Sequence, residues 1–158
     1  MANNDLVLVT GASGFVAKHV IKAALAHGFR VRGSLRRPAV EAEVRKAVGE
    51  PGDRLTFATA DLLNDTGWAA AVAGCRYVLH VASPFPLVSP KDRMALVPVA
   101  RDGALRVVKA AADAGVERTV MTSSCVAVWS GQKPDANRVF TEAAWRDAAS
   151  PHTHCYAL

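Results

Sequence analysis

The amino-acid sequence predicts a parallel, doubly wound α/β sheet. Three observations carry that expectation. Short apolar runs alternate with stretches of helical spacing along the whole chain, and no repeat or low-complexity segment breaks the order. Size is the third: 158 residues make about one domain, enough to bury a real core.

Residues 6–10, L-V-L-V-T, form an apolar run closed by Gly11 and read as a strand buried on both faces. From 15 to 27 the positions Val16, Val20, Ala23, Ala24 and His27 follow helical spacing, and Gly28 stands where a helix ends. Arg30–Leu35 is a second strand, after which Pro38 stops extension. Glu41–Val48 is a short helix ended by the turn G-E-P-G at 49–52. Residues 55–60 give a third strand, and Asp65 is positioned to cap a helix running to Gly74. Residues 77–82 form a fourth strand, which Ser83-Pro84-Phe85-Pro86 does not continue. A long helix over 94–114 would turn Val97, Ala100, Leu105, Val108 and Ala111 or Ala112 inward, with Gly115 as its stop. Residues 118–124 are a fifth strand.

The composition, 51% apolar and 21% charged, is that of a globular protein rather than a disordered one. Of the net charge of +5, four cations gather at Arg30, Arg32, Arg36 and Arg37. A local cluster without interleaved aromatic rings points to one anionic ligand, not to a nucleic-acid track. No apolar run approaches the roughly 20 residues that span a bilayer, and M-A-N-N-D lacks the layout of a signal peptide. The three cysteines, Cys75, Cys125 and Cys155, are odd in number and widely spaced, which suits buried thiols in a reducing, cytoplasmic setting. His152, His154 and Cys155 have no distant fourth ligand, so no metal site is expected.

Sheets of this class bind ligands beyond the carboxyl ends of their strands. After the first strand stands Thr10-Gly11-Ala12-Ser13-Gly14-Phe15-Val16-Ala17. Glycines there permit a tight turn and close backbone approach, and the helix that follows offers free N–H groups to a pyrophosphate. Ala17 replaces a third glycine by the smallest possible departure. After the second strand an acidic residue would suit NAD and an arginine NADP. This chain has no Asp or Glu between Gly28 and Val40, and has Arg36 and Arg37 instead. Guanidinium matches a phosphate in geometry as well as charge, so NADP is the expected cofactor.

These pieces, with Val31-Arg32-Gly33-Ser34-Leu35-Arg36, Ala60-Asp61-Leu62, His80-Val81-Ala82-Ser83-Pro84 and Met121-Thr122-Ser123-Ser124, span nearly the whole chain in order. Jointly they resemble the extended short-chain dehydrogenase/reductases (the NAD-dependent epimerase/dehydratase family). Within it they are similar to the branch of dihydroflavonol 4-reductase, cinnamoyl-CoA reductase and related aldehyde reductases. The resemblance implies that Gly11, Gly14, Phe15 and Val16 line the pyrophosphate turn and that Arg36 meets the 2′-phosphate. It further implies Asp61 and Leu62 beside the adenine and Val81, Ala82 and Ser83 along the nicotinamide ribose.

Ser124 matches a catalytic serine that orients the substrate carbonyl, and Tyr156 a catalytic tyrosine that protonates it. Glu142 and Trp145 match an acidic-aromatic stretch that would anchor a loop. The family's lysine, four residues after the tyrosine, would fall two places beyond Leu158. Residues 1–158 are therefore expected to be a dinucleotide-binding domain interrupted within Tyr-x-x-x-Lys, without its substrate region and inactive as it stands. The partner expected is a small carbonyl compound, with neither nucleic acid nor membrane; a homodimer stays open. Two other readings remain: a non-catalytic dinucleotide-binding module, and a nucleotide-sugar epimerase or dehydratase using the same serine and tyrosine.

Overall fold

The computed structural model describes residues 4–84, 90–92, 94–131, 137–151 and 153. They fall into two compact units, Met1–Ser83 with Asp102–Thr122, and Pro84–Arg101 with Ser123–Leu158. The first unit holds the sheet. Its strands are β1 (Leu6–Val9), β2 (Arg30–Leu35), β3 (Leu55–Thr59), β4 (Tyr77–His80) and β5 (Arg118–Met121). All pairs are parallel, in the order β3-β2-β1-β4-β5.

Helices α1 (Phe15–Ala26), α2 (Glu41–Val48), α3 (Trp68–Val72) and α4 (Leu96–Asp113) connect the strands. Period-two alternation along β1 divides them between the faces. Val7 and Val9 pack with Ile21 and Leu25 of α1 and Val44 of α2. Leu8 packs with Trp68 and Val72 of α3 and Val107 of α4. Helices on both faces oblige β1 to be apolar on both, which is why its sequence reads as an unbroken run. The predicted doubly wound sheet is the observed one.

Three local expectations are corrected. The inward stripe of α1 is Ala17, Ile21, Ala24 and Leu25, one residue out of phase with the predicted set, and Val16 is 51% exposed. Ala17 is buried where the helix begins, so the close-packing position carries its methyl group inside. On α4 the buried positions are Gly103, Val107 and Ala111, while Leu105 and Val108 are 57% and 43% exposed. Leu62 decides that phase: a Cβ at Gly103 would stand 3.1 Å from the Leu62 Cβ, so the helix approaches through its one residue without a side chain.

Asp65 caps nothing. Helix α3 starts later, at Trp68, with Gly67 as its N-cap, so Asp65 is too far upstream to reach the first free amides. Its carboxylate pairs instead with Arg106 of α4. Gly67 has φ +92°, and a Cβ there would overlap the Thr59 carbonyl oxygen, so only glycine fits.

In the second unit, α5 (Val126–Trp129) is followed by a loop whose Arg146 N–H donates to the Ala127 carbonyl at 2.9 Å. Thr153 is buried, and its hydroxyl donates to the Asp147 carbonyl. Trp145 and Glu142 are exposed, so burial does not anchor this stretch. Cys75 is buried as expected, whereas Cys125 is exposed. Cys155, His152 and His154 lie outside the described residues.

Candidate cofactor site

The strand order reverses between β1 and β4, because β2 and β3 lie to one side of β1 and β4 and β5 to the other. A crevice opens at the carboxyl ends of such a pair. The chain leaves β1 through Thr10 and turns at Gly11, whose φ of +66° suits glycine. A Cβ on Gly11 would lie 2.9 Å from the Ala82 Cβ, so the turn and the segment after β4 are in close contact. The Gly14 N–H donates to the Gly11 carbonyl at 2.8 Å, and Gly14 becomes the N-cap of α1.

No side chain caps that helix, and its first turn carries no acidic residue. The leading amides of a helix have no partner within it, and their dipole favours an anion. Gly14, Phe15 and Val16 are exposed at this end, with Phe15 79% exposed. An uncapped helix entered through glycine fits a dinucleotide's pyrophosphate.

Residues that sequence reasoning passed over hold the turn in place. Ser34, buried near the end of β2, accepts the Gly11 N–H on its Oγ at 3.0 Å, and its carbonyl accepts the Ala12 N–H at 2.9 Å. Gly33 lets Ala12 pack on β2, since a Cβ there would lie 2.6 Å from the Ala12 Cβ and 3.0 Å from the Phe57 ring. Thr10, fully buried, accepts the Val81 and Ala82 N–H groups on Oγ1 at 3.0 and 2.9 Å. The same oxygen lies 2.8 Å from Nδ1 of buried His80. Burial lowers the His80 pKa below the ordinary histidine value. The available signal was polarity: Thr10 and His80 close the apolar strands β1 and β4 with a polar side chain, and Ser34 stands one residue before the end of β2.

The arginine cluster separates into two roles. Arg30 Nε donates to the Asn4 carbonyl at 3.2 Å. Arg32 donates to the carbonyls of Ala70, Ala71 and Ala73 at the end of α3, at 3.2, 3.0 and 2.7 Å. Both are structural, and the expectation that all four form one anion site is corrected. Arg36 and Arg37 follow β2 and are exposed; the Arg37 carbonyl accepts the Val40 N–H at 3.3 Å, and neither guanidinium is paired with a described residue. They lie beside the end of β3, where the Ala60 N–H continues the ladder to the Leu35 carbonyl at 3.0 Å.

Asp61 Oδ1 accepts the Leu63 N–H at 3.0 Å in a local turn, with the residue half-buried. Leu62 packs its side chain toward Gly103 and gives its carbonyl to Arg106 at 2.9 Å. Val81 and Ala82 are half-buried and Ser83 exposed, directly after β4. Gly11, Gly14, Phe15, Val16, Arg36, Asp61, Leu62, Val81, Ala82 and Ser83 thus all lie beyond the carboxyl ends of the strands of the first unit. Ser124 belongs to the second unit, where its Oγ accepts the Val126 N–H at 3.4 Å, a loose contact entering α5. Tyr156 lies outside the described residues.

The profile of the NAD dependent epimerase/dehydratase family matches residues 7–155. The chain belongs to that family. The similarity extends to its reductases. Cinnamoyl-CoA reductase 1 from Oryza sativa subsp. japonica is 41% identical over 153 residues, covering 92% of this chain and 44% of the relative. Dihydroflavonol 4-reductase from Hordeum vulgare is 36% identical over 135 residues, covering 84% of this chain and 38% of the relative. Among solved structures, Gre2 from Candida albicans in complex with NADPH superposes with a TM-score of 0.79 at 28% identity, over 92% of this chain and 45% of that one. This member of the family therefore spans a little under half the length of the relatives it matches. Their names agree with the reductase branch that H-V-A-S-P and the arginine after β2 resembled. Among the described residues no helix is long and apolar enough to cross a membrane.

Proposed function

We propose that this chain binds NADP(H) beyond the carboxyl end of its sheet and forms the cofactor half of a reductase of aldehydes or ketones. The division of the arginines carries the reading: Arg30 and Arg32 are held by backbone carbonyls, while Arg36 is left for a ligand. With no carboxylate between Gly28 and Val40, that end of β2 suits a 2′-phosphate better than bare ribose hydroxyls. Gly11, Gly14, Phe15 and Val16 would receive the pyrophosphate, Asp61 and Leu62 the adenine, and Val81, Ala82 and Ser83 the nicotinamide-side ribose. The nicotinamide, when bound, supplies a hydride.

In this reading Ser124 donates its hydroxyl to the substrate carbonyl oxygen and Tyr156 delivers the proton to it. A positive charge near that phenol would lower its pKa from about 10 toward working pH. The relatives' names favour reduction over sugar-nucleotide epimerisation. The free thiols Cys75 and Cys125 suit a reducing, cytoplasmic setting.

The test is a fluorescence titration of the 158-residue chain with NADPH and with NADH, repeated on Arg36→Ala. NADPH should bind the unmutated chain more tightly, and Arg36→Ala should remove the difference. A charge-assisted phosphate contact is worth about 1.5–3 kcal/mol, or roughly tenfold or more in affinity. Equal affinities for the two nucleotides in the unmutated chain would overturn the NADP assignment.

A further inference from the structure

We propose that His80 is a positioning residue for the dinucleotide: it orients the Thr10 hydroxyl, which in turn fixes the backbone of Val81 and Ala82 against the glycine turn. The inference deepens the cofactor reading above and rests on it.

A threonine hydroxyl has one proton to donate and two lone pairs. The Val81 and Ala82 N–H groups donate to Thr10 Oγ1 at 3.0 and 2.9 Å and fill both lone pairs. The hydroxyl proton must therefore point to the remaining neighbour, His80 Nδ1, 2.8 Å away. Nδ1 is then an acceptor, so the imidazole is neutral with its proton on Nε2. Burial of His80 favours the same uncharged form.

The consequence lies at the crevice. Backbone pairing between β1 and β4 ends with the Thr10 N–H donating to the Leu79 carbonyl at 3.1 Å. β1 ends at Val9 and β4 at His80, and the Val81 and Ala82 amides beyond them turn to a side chain for their acceptor. The Thr10 hydroxyl is that acceptor. His80 is held independently, its carbonyl accepting the Thr122 N–H from the end of β5 at 2.9 Å. Its ring thus comes from a fixed backbone and dictates which way the hydroxyl turns. Without an acceptor at Nδ1, the hydroxyl proton would seek another partner, and one of the two amide bonds would weaken. Ala82 touches Gly11 closely enough that a shift of the 81–82 backbone is a shift of the pyrophosphate turn.

Asparagine can place an amide oxygen near the position of Nδ1, whereas leucine fills the space with no acceptor. NADPH titration of the 158-residue chain should show His80→Leu binding on the order of tenfold more weakly, the equivalent of one buried hydrogen bond. His80→Asn should bind within about twofold of the unmutated chain. On a Thr10→Val background, His80→Leu should add nothing further.

Nitrogen-15 NMR of the histidine rings reads the tautomer directly and needs no variant to fold. Nδ1 of His80 should be unprotonated at neutral pH. A protonated Nδ1, equal affinities for His80→Leu and the unmutated chain, or failure of His80→Asn to restore binding would each overturn the proposal. An unmutated chain that binds neither NADPH nor NADH would instead sink the cofactor reading on which it rests.

Discussion

At the carboxyl end of the sheet the strands are tied by Thr10, Ser34 and His80, all buried and uncharged, and by glycines at contacts too close for a Cβ. At the amino end Arg76 bridges Asp5, before β1, and Glu117, before β5, at 2.7 and 2.6 Å on an exposed surface. Those hydrogen bonds, to Glu117 first and then Asp5, raise the Arg76 pKa above its ordinary value. One end is held by short-range shape and directional bonds, the other by charges that water screens. Buried neutral bonds fix positions closely because the alternative is an unsatisfied polar group. Surface ion pairs contribute little and tolerate movement. The strict geometry lies at the end where the resemblance places the ligand.

Substitutions at the carboxyl end should therefore be the more damaging. The largest effect is expected at Gly67, where alanine combines a left-handed φ with overlap of the Thr59 carbonyl. A loss of about 3 kcal/mol or more is expected for Gly67→Ala in urea denaturation. A loss below about 1 kcal/mol would show that this end gives way as readily as the other.

Next comes Gly33→Ala, whose methyl group would meet Ala12 and the Phe57 ring. It should destabilise the chain by about 1–3 kcal/mol. Because Ala12 belongs to the turn, NADPH affinity should fall as well. Unchanged affinity in a folded variant would separate the packing of β2 from the ligand site.

Arg32→Ala sharpens the comparison within the arginine cluster. It leaves the carbonyls at the end of α3 without their donor, and about 1–3 kcal/mol of stability should be lost. NADPH affinity of the folded variant should not change, the reverse of Arg36→Ala. Weakened binding with normal stability would return Arg32 to the anion site.

The smallest effects come from titration and from the salt-screened end. His80 has a depressed pKa in the fold, so below the unfolded-state value of about 6.5 the unfolded chain binds more protons than the folded one. The contribution of neutral His80 is fully present above that pH and is lost as pH falls from there through the folded pKa. Thermal melts across that window should therefore fall less steeply for His80→Asn than for the unmutated chain. Arg76→Ala should leave the melting midpoint at neutral pH unchanged within error at moderate salt. A large drop there would mean that the amino end is held as strictly as the carboxyl end.

Much of the first unit was legible because its signals are local. Arg30–Leu35 and Glu41–Val48 match their predicted bounds, since a strand flanked by glycine and proline and a helix ended by Gly49 carry their own stops. The turn at Gly11, the helix start at Gly14 and the exposure of Arg36 after β2 were legible for the same reason: each depends on the residues beside it. The phase of α4 was not, because an apolar helix with a stripe on more than one side is oriented by what it meets. What it meets is Leu62, forty-one positions from Gly103. Nor was the division between Arg32 and Arg36, which share a charge and a segment and differ only in where β2 ends.

The sequence by itself determined the doubly wound class, the place of the glycine turn after β1 and the basic character of the end of β2. Periodicity, glycine and charge act over a few residues, and a chain expresses them before it is folded. Only the tertiary structure decided which arginines are held by carbonyls, which face of α4 is buried, and that Thr10 meets His80 across seventy residues. A hydrogen bond needs its partners within about 3 Å and correctly aimed. Nothing local in a sequence brings residues that far apart to that distance; the parallel pairing of β1 with β4 does.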